Sequence, residues 1–218
     1  MGPGVCDRKG NFYSLGHADP YGSEDPTTNL TFGGLQRITV TDLKAYTNIS
    51  GFLQTNGKPF QMRTDTQTTL LDLRDRPTIL IGNHNNDWAR RLTGNLRYRF
   101  DFDEAHQGKP DRIFAIVDSD NPKQYLWQVP VGGNKTASVD YALAGRMLDP
   151  VTGGLVLYVA GCGSMGTQAA SEFITQPQFL GGLPRSLNNP KVSIQVVLRT
   201  PIVAGVAGSP EVIATHIW

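Results

Sequence analysis

Leu155-Val156-Leu157-Tyr158-Val159-Ala160 runs directly into Gly161-Cys162-Gly163-Ser164-Met165-Gly166, and then into Thr167-Gln168-Ala169-Ala170. Six apolar, partly β-branched residues read as a buried strand, the glycines as a tight loop, and the small residues beyond as a helix. A strand that turns so quickly into a helix belongs to an α/β architecture. The loop has the spacing G-x-G-x-x-G, which aims backbone N–H groups of a helix N-terminus at an anion. The same residues fall one short of G-x-S-x-G, the turn that exposes a nucleophilic serine, because Cys162 stands where the first glycine is expected. One loop therefore supports both a binding site and a catalytic serine. The glycines equally serve a plainer purpose, close packing of helix on sheet.

Working outward, Thr78-Ile79-Leu80-Ile81-Gly82 repeats the pattern. A buried strand stops at a glycine, passes through Asn83-His84-Asn85-Asn86-Asp87, and opens a helix at Trp88-Ala89-Arg90-Arg91-Leu92, with Gly94 as its stop. Further upstream, Thr41 or Asp42 caps a helix whose Leu43, Tyr46, Ile49 and Leu53 recur at helical spacing, and Asn56-Gly57 closes it with a left-handed cap. Pro59 to Arg63 is a short strand candidate, and Thr68 to Leu73 holds one helical turn.

The middle of the chain reads as strands at Leu96–Phe102, Arg112–Val117, Gln124–Val129 and Tyr141–Leu148. Asp149-Pro150-Val151-Thr152-Gly153-Gly154 forms a hairpin loop before Leu155. Thr167 to Ile174 is helical, a short helix lies between Pro177 and Leu187, and strands at Val192–Leu198 and Glu211–Ile217 close the chain. Residues 1–36 lack periodicity and are read as a loosely ordered lead-in. Residues 37–218 are read as a single α/β domain, a mixed, mostly antiparallel sheet with helices packed on it.

Composition bounds the function. The chain has 24 Gly and 14 Pro in 218 residues, about one residue in six against about one in eight in an average chain. Turns and short elements follow. A net charge of +1 offers no general attraction for nucleic acid or an anionic membrane. No apolar run approaches the ~18 residues of a membrane span, and Met1 to Gly10 is too polar for a signal peptide, so a soluble chain is expected. Cys6 and Cys162 make no disulfide framework and no C-x-x-C pair. Homo-oligomerisation is compatible with this composition.

A dinucleotide site needs an acidic residue at the tip of the next strand. That strand ends at Leu198-Arg199-Thr200, and the 52 residues after Gly166 are too few for the rest of such a fold. No cofactor is expected. A hydrolase triad needs Ser164, an acid and a base, and the only histidine after Ser164 is His216. Glu211 and His216 are five apart on one strand, an odd spacing that sets them on opposite faces, and Glu172 lies on the helix after the turn. Asp101 and Asp103, or Asp118 and Asp120, are the spacings at which a weak hard-cation site would be sought, with Glu104 and His106 nearby. A solvated strand end and a turn explain them as well, and no metal is expected.

From Leu70 onward the chain resembles a group of uncharacterised bacterial proteins known mainly from Acidobacteria. The matching stretches are Asp72-Leu73-Arg74, Leu80-Ile81-Gly82-Asn83 with Asn85-Asn86-Asp87-Trp88, Arg91-Leu92-Thr93, Gly166-Thr167-Gln168-Ala169-Ala170 with Glu172-Phe173, and the ending His216-Ile217-Trp218. In that group this region looks like the C-terminal part of longer proteins, some with a winged-helix regulator domain upstream, so this chain reads as a fragment or a short member. The resemblance implies a sensor-like module rather than an enzyme.

Two expectations result. The first is a crevice for a small polar or anionic ligand between the two strand-to-helix junctions. It would be lined by Asn83, His84, Asn85, Asn86, Gly161, Gly163, Gly166, Thr167 and Gln168, with backbone N–H donors from Gly163 to Thr167. In it His84, at a helix start, is expected neutral at pH 7. The second is a small ester or lactone hydrolase with Ser164 as nucleophile, His216 as base and the Met165 N–H as oxyanion donor.

Overall fold

The computed structural model describes residues 4–6, 12–14, 38–101, 113–130 and 137–218. The chain divides into two compact units, Met1–Val40 and Thr41–Trp218. In the first, strand β1 (Gly4–Cys6) pairs antiparallel with β2 (Phe12–Ser14), Val5 opposite Tyr13. A short ladder thus lies within what reads from sequence as a loosely ordered lead-in.

The second unit is an α/β fold around one central sheet. Its strands are β3 (Thr78–Ile81), β7 (Val139–Leu148), β8 (Leu155–Gly161), β9 (Ile194–Val203) and β11 (Glu211–Ile217), in the order β3-β8-β7-β9-β11. A two-residue strand β10 (Val206–Ala207) pairs with the far end of β9. Every pairing is antiparallel except β3 with β8, which run parallel with Thr78 opposite Val156 and Ile81 opposite Val159. The β7–β8 hairpin closes where the sequence predicts. Asp149 accepts the Thr152 N–H at 2.7 Å through its side chain, and Gly153 adopts φ +69°.

Three further strands, β4 (Tyr98–Asp101), β5 (Ile113–Asp118) and β6 (Trp127–Pro130), do not join that sheet. They form a separate antiparallel sheet stacked on one of its faces. Between the two sheets Tyr98, Phe100, Ile116 and Val129 meet Leu143, Met147, Val156, Tyr158 and Val197, and Ala89 and Leu92 of helix α3 (Asp87–Thr93) complete that core. The other face carries α1 (Val40–Thr55), α4 (Ser164–Thr175) and α5 (Pro177–Leu180). There Ile49, Ala170 and Phe173 pack on Ala142, Ala144, Val159, Val196 and Leu198. Alternation along β7, β8 and β9 supplies both cores, as expected for a sheet buried on two sides. Among the described residues no helix is long and apolar enough to cross a membrane.

Several local expectations change. Helix α1 does end in the foreseen left-handed cap: Lys58 N–H reaches Leu53 C=O, Gly57 N–H reaches Gln54 C=O, and Gly57 has φ +64°. Its buried stripe, however, runs through Thr41, Ala45 and Ile49, while Leu43 is 51% exposed. Pro59 to Arg63 forms no ladder, and Phe60 packs edge-on against Tyr46 instead. Thr69 does start a helical turn, α2 (Leu70–Leu73), with a capping box to Asp72. In β11 a bulge between Val212 and Ala214 restores parity. Glu211 faces Arg199 and His216 faces Gln195, so both lie on the same side of the sheet, not on opposite sides.

Candidate functional site

Both glycine-terminated strands end side by side. Gly82 N–H donates to Val159 C=O at 2.9 Å, carrying the parallel ladder one step beyond β3. The β3–α3 loop and the β8–α4 loop therefore leave the same edge of the sheet at neighbouring positions. That is where α/β sheets place their ligands. The N-terminal part of α1 joins them: Lys44 Nζ lies 3.3 Å from Gln168 Oε1, Asn48 Nδ2 donates to Ser171 Oγ, and Asp42 accepts from Asn85 Nδ2 at 2.7 Å. Gly82 turns the chain at φ +79°, and a Cβ there would stand 2.6 Å from Asn85 Oδ1. Only glycine fits.

The glycine-rich loop does hold an anion, but the anion belongs to the chain. Asp140, the second residue of β7, is 1% exposed. Its carboxylate accepts from Gly163 N–H at 2.8 Å, Gly166 N–H at 2.7 Å and Tyr141 N–H at 2.8 Å. Burial pushes its carboxyl above the ordinary value, while the amides of Gly163, Gly166, Tyr141 and Met165 pull it back. The carboxylate thus occupies the positive end of α4 that a bound anion would need. The loop glycines serve this packing. A Cβ on Gly166 would lie 2.6 Å from Tyr141 C=O, and one on Gly163 would lie 2.7 Å from the Asp140 carboxylate.

Other expected ligand contacts are also committed inside the fold. Thr167 Oγ1 accepts the Gly161 N–H at 3.0 Å and so caps the end of β8. Gln168 donates to Glu172 and accepts from Lys44. Asn86 is the N-cap of α3: its Oδ1 accepts Ala89 N–H and its Nδ2 donates to Ile81 C=O. The His84 ring lies against Phe114, centroids 3.9 Å apart, and within 6.1 Å of Phe100, among the aromatic residues of the second sheet. Asn83 differs from these. It is 4% exposed, and its Oδ1 accepts no hydrogen bond from the described residues.

The hydrolase constellation does not assemble. Ser164 begins α4, on the helical face of the sheet, whereas His216 lies on the opposite face, stacked on Trp218 and edge-on to Tyr98. Three ladder steps, from Leu198 level with the end of β8 to Gln195 opposite His216, and three strand spacings separate the end of β8 from His216, about 10 Å along the strands and about 14 Å across them. The Met165 amide adds to the pull of the loop amides on the Asp140 carboxylate. Ser164→Ala is accordingly expected to change stability by less than about 0.5 kcal/mol and to leave any turnover of p-nitrophenyl esters unchanged. A loss of esterase activity in the variant would restore Ser164 as a nucleophile.

Cys162 is buried beneath the loop at 1% exposure. Burial first, and then the nearby Asp140, hold its thiol well above the ordinary value, so it is a packing residue and not a nucleophile. Of the carboxylates considered for a cation, Asp118 and Asp120 instead hold the Arg97 guanidinium, at 3.1 Å and 2.9 Å. Asp103, Glu104 and His106 lie outside the described residues.

Sequence reasoning missed Asp140 and Gln195. Gln195 is fully buried: its amide accepts Tyr98 N–H at 3.0 Å and donates to Tyr98 C=O at 2.8 Å and to Tyr158 Oη at 2.7 Å. One side chain thereby bonds the edge of β4 that no other described strand pairs, and ties the two sheets together. A lone glutamine within Ile194-Gln195-Val196-Val197-Leu198 was the signal that could have found it.

No family model matches the chain, nor does any curated protein or solved structure. Function must therefore be argued from the site itself.

Proposed function

We propose that this domain is a sensor-like binding module for a small, uncharged polar molecule, held at the shared edge where β3 and β8 end. The observation that carries this reading is the buried Asn83 Oδ1, an acceptor without a donor among the described residues, at one of two adjoining strand-to-helix junctions. A buried acceptor left unpaired costs the fold about 1–3 kcal/mol, which a hydroxyl or amide donor of a ligand would offset. Anionic ligands are disfavoured because Asp140 already occupies the helix N-terminus and Asp42 sits in the first turn of α1.

The test is a thermal-shift screen of small polyols, amides and sugars against the wild type and Asn83→Leu. A compound at 100 times its Kd adds about 2.7 kcal/mol to the folded state, and that shift should vanish in Asn83→Leu. The substitution itself should cost under about 1 kcal/mol, because the Oδ1 it removes has no partner to lose. Equal shifts in both proteins, or shifts produced only by carboxylates and phosphates, would overturn the reading.

A further inference from the structure

We propose that the protein forms a symmetric dimer joined edge to edge through β11. Trp218 and Ser193 exchange both backbone bonds, at 2.9 and 3.1 Å, and so form a hydrogen-bonded pair between β11 and β9. Antiparallel pairs alternate, so His216 opposite Gln195 and Ala214 opposite Val197 are bonded inward as well. Thr215 and Ile217 then turn their N–H and C=O groups to the outer edge. Among the described residues no strand pairs with that edge.

The edge has the character of an interface. Thr215 is exposed, Ile217 is 36% exposed and Trp218 is 46% exposed. No lysine or proline, the residues that commonly blunt such edges, occurs from Glu211 to Trp218. The bulge at Val212–Ala214 interrupts only the first half and leaves Ala214–Trp218 straight.

That straight segment is complementary to itself read backwards, which is what a two-fold interface requires. A two-fold axis through His216 sets Thr215 opposite the partner's Ile217, and Ile217 opposite the partner's Thr215. All four outward-turned groups of each copy are then satisfied. On one face the β-branched Thr215 and Ile217 meet. On the other, Ala214 leaves room opposite the partner's Trp218, the smallest side chain of the segment against the largest. The two-fold axis repeats the match of Ala214 with Trp218 at both ends of the paired segment, so the occupant is a second copy of the chain.

Sedimentation of the full chain over a wide concentration range tests the proposal. The wild type should sediment as a dimer. Thr215→Pro should weaken association at least about tenfold with an unchanged far-ultraviolet spectrum, since the N–H it removes serves no bond within the monomer. Ile217→Lys should do the same and covers the case in which the proline variant fails to fold. The register is tested in a Cys6→Ser background. His216→Cys should form an intermolecular disulfide at least about tenfold faster than Thr215→Cys, because only the two copies of position 216 face each other directly. A wild type that stays monomeric, association untouched by Ile217→Lys, or faster crosslinking from position 215 would each overturn the proposal.

Discussion

Asp140→Ala is expected to destabilise the fold by about 2–4 kcal/mol, because it strands the buried Gly166 N–H and the half-buried Gly163 N–H, at about 1–3 kcal/mol for a fully buried donor. Those donors, Gly163 and Gly166, open α4 and both turn to the Asp140 carboxylate. Water cannot easily replace it, since Gly166 Cα packs against Tyr141 C=O and Gly161. Asp140→Asn should cost roughly half as much, because its carbonyl can serve one donor while its NH2 group opposes the other. Urea unfolding of the three proteins gives the comparison. A cost below about 1 kcal/mol for the alanine variant would mean that the carboxylate is not the cap of this helix.

The second large effect is expected at Gln195. Gln195→Leu keeps the volume but removes the partners of Tyr98 N–H, Tyr98 C=O and Tyr158 Oη together. A loss of about 3–5 kcal/mol follows from three unpaired buried groups. Tyr158→Phe, which removes one bond and one of the groups that needs it, should cost only about 1 kcal/mol. The rest of the site admits little adjustment, because the Tyr158 ring lies directly over Gly145, its partner across β7 and β8. Hydrogen exchange separates this account from simple loss of packing. The Tyr98 amide should exchange faster in Gln195→Leu relative to its neighbours. Unchanged protection at Tyr98 would show that the second sheet is held without the glutamine.

Features governed by near neighbours were legible in the sequence. The Asp149–Gly154 hairpin, the cap at Gly57, the stop at Gly82 and the opening of a helix after the Asn83–Asp87 stretch each depend on residues a few positions apart, although the helix starts at Asp87, one residue before the Trp88 read from sequence. What the sequence did not reveal depends on partners far along the chain. Nothing local says that β4, β5 and β6 stack on the main sheet instead of joining it. The glycine-rich loop reads as an open anion site because its anion, Asp140, enters from a different strand. The bulge in β11 leaves no mark in Val212-Ile213-Ala214, so the side taken by Glu211 relative to His216 was beyond a simple count of two. Of the candidate site, the adjacency of its two loops follows from the parallel pairing of β3 with β8. The employment of most of its polar groups as caps became visible only with the packing.

That parallel pairing also sets an order of assembly. The β7–β8 hairpin closes through a short turn, whereas β3 must find β8 with Thr78 against Val156. Closing so long a loop costs more entropy before any contact rewards it. The four-residue β3 is therefore expected to dock late in folding and to detach early in local opening, taking the Asn83 loop with it. A molecule bound at that edge would act as a latch on the slowest-forming seam of the sheet, and its arrival would be felt as slower unfolding.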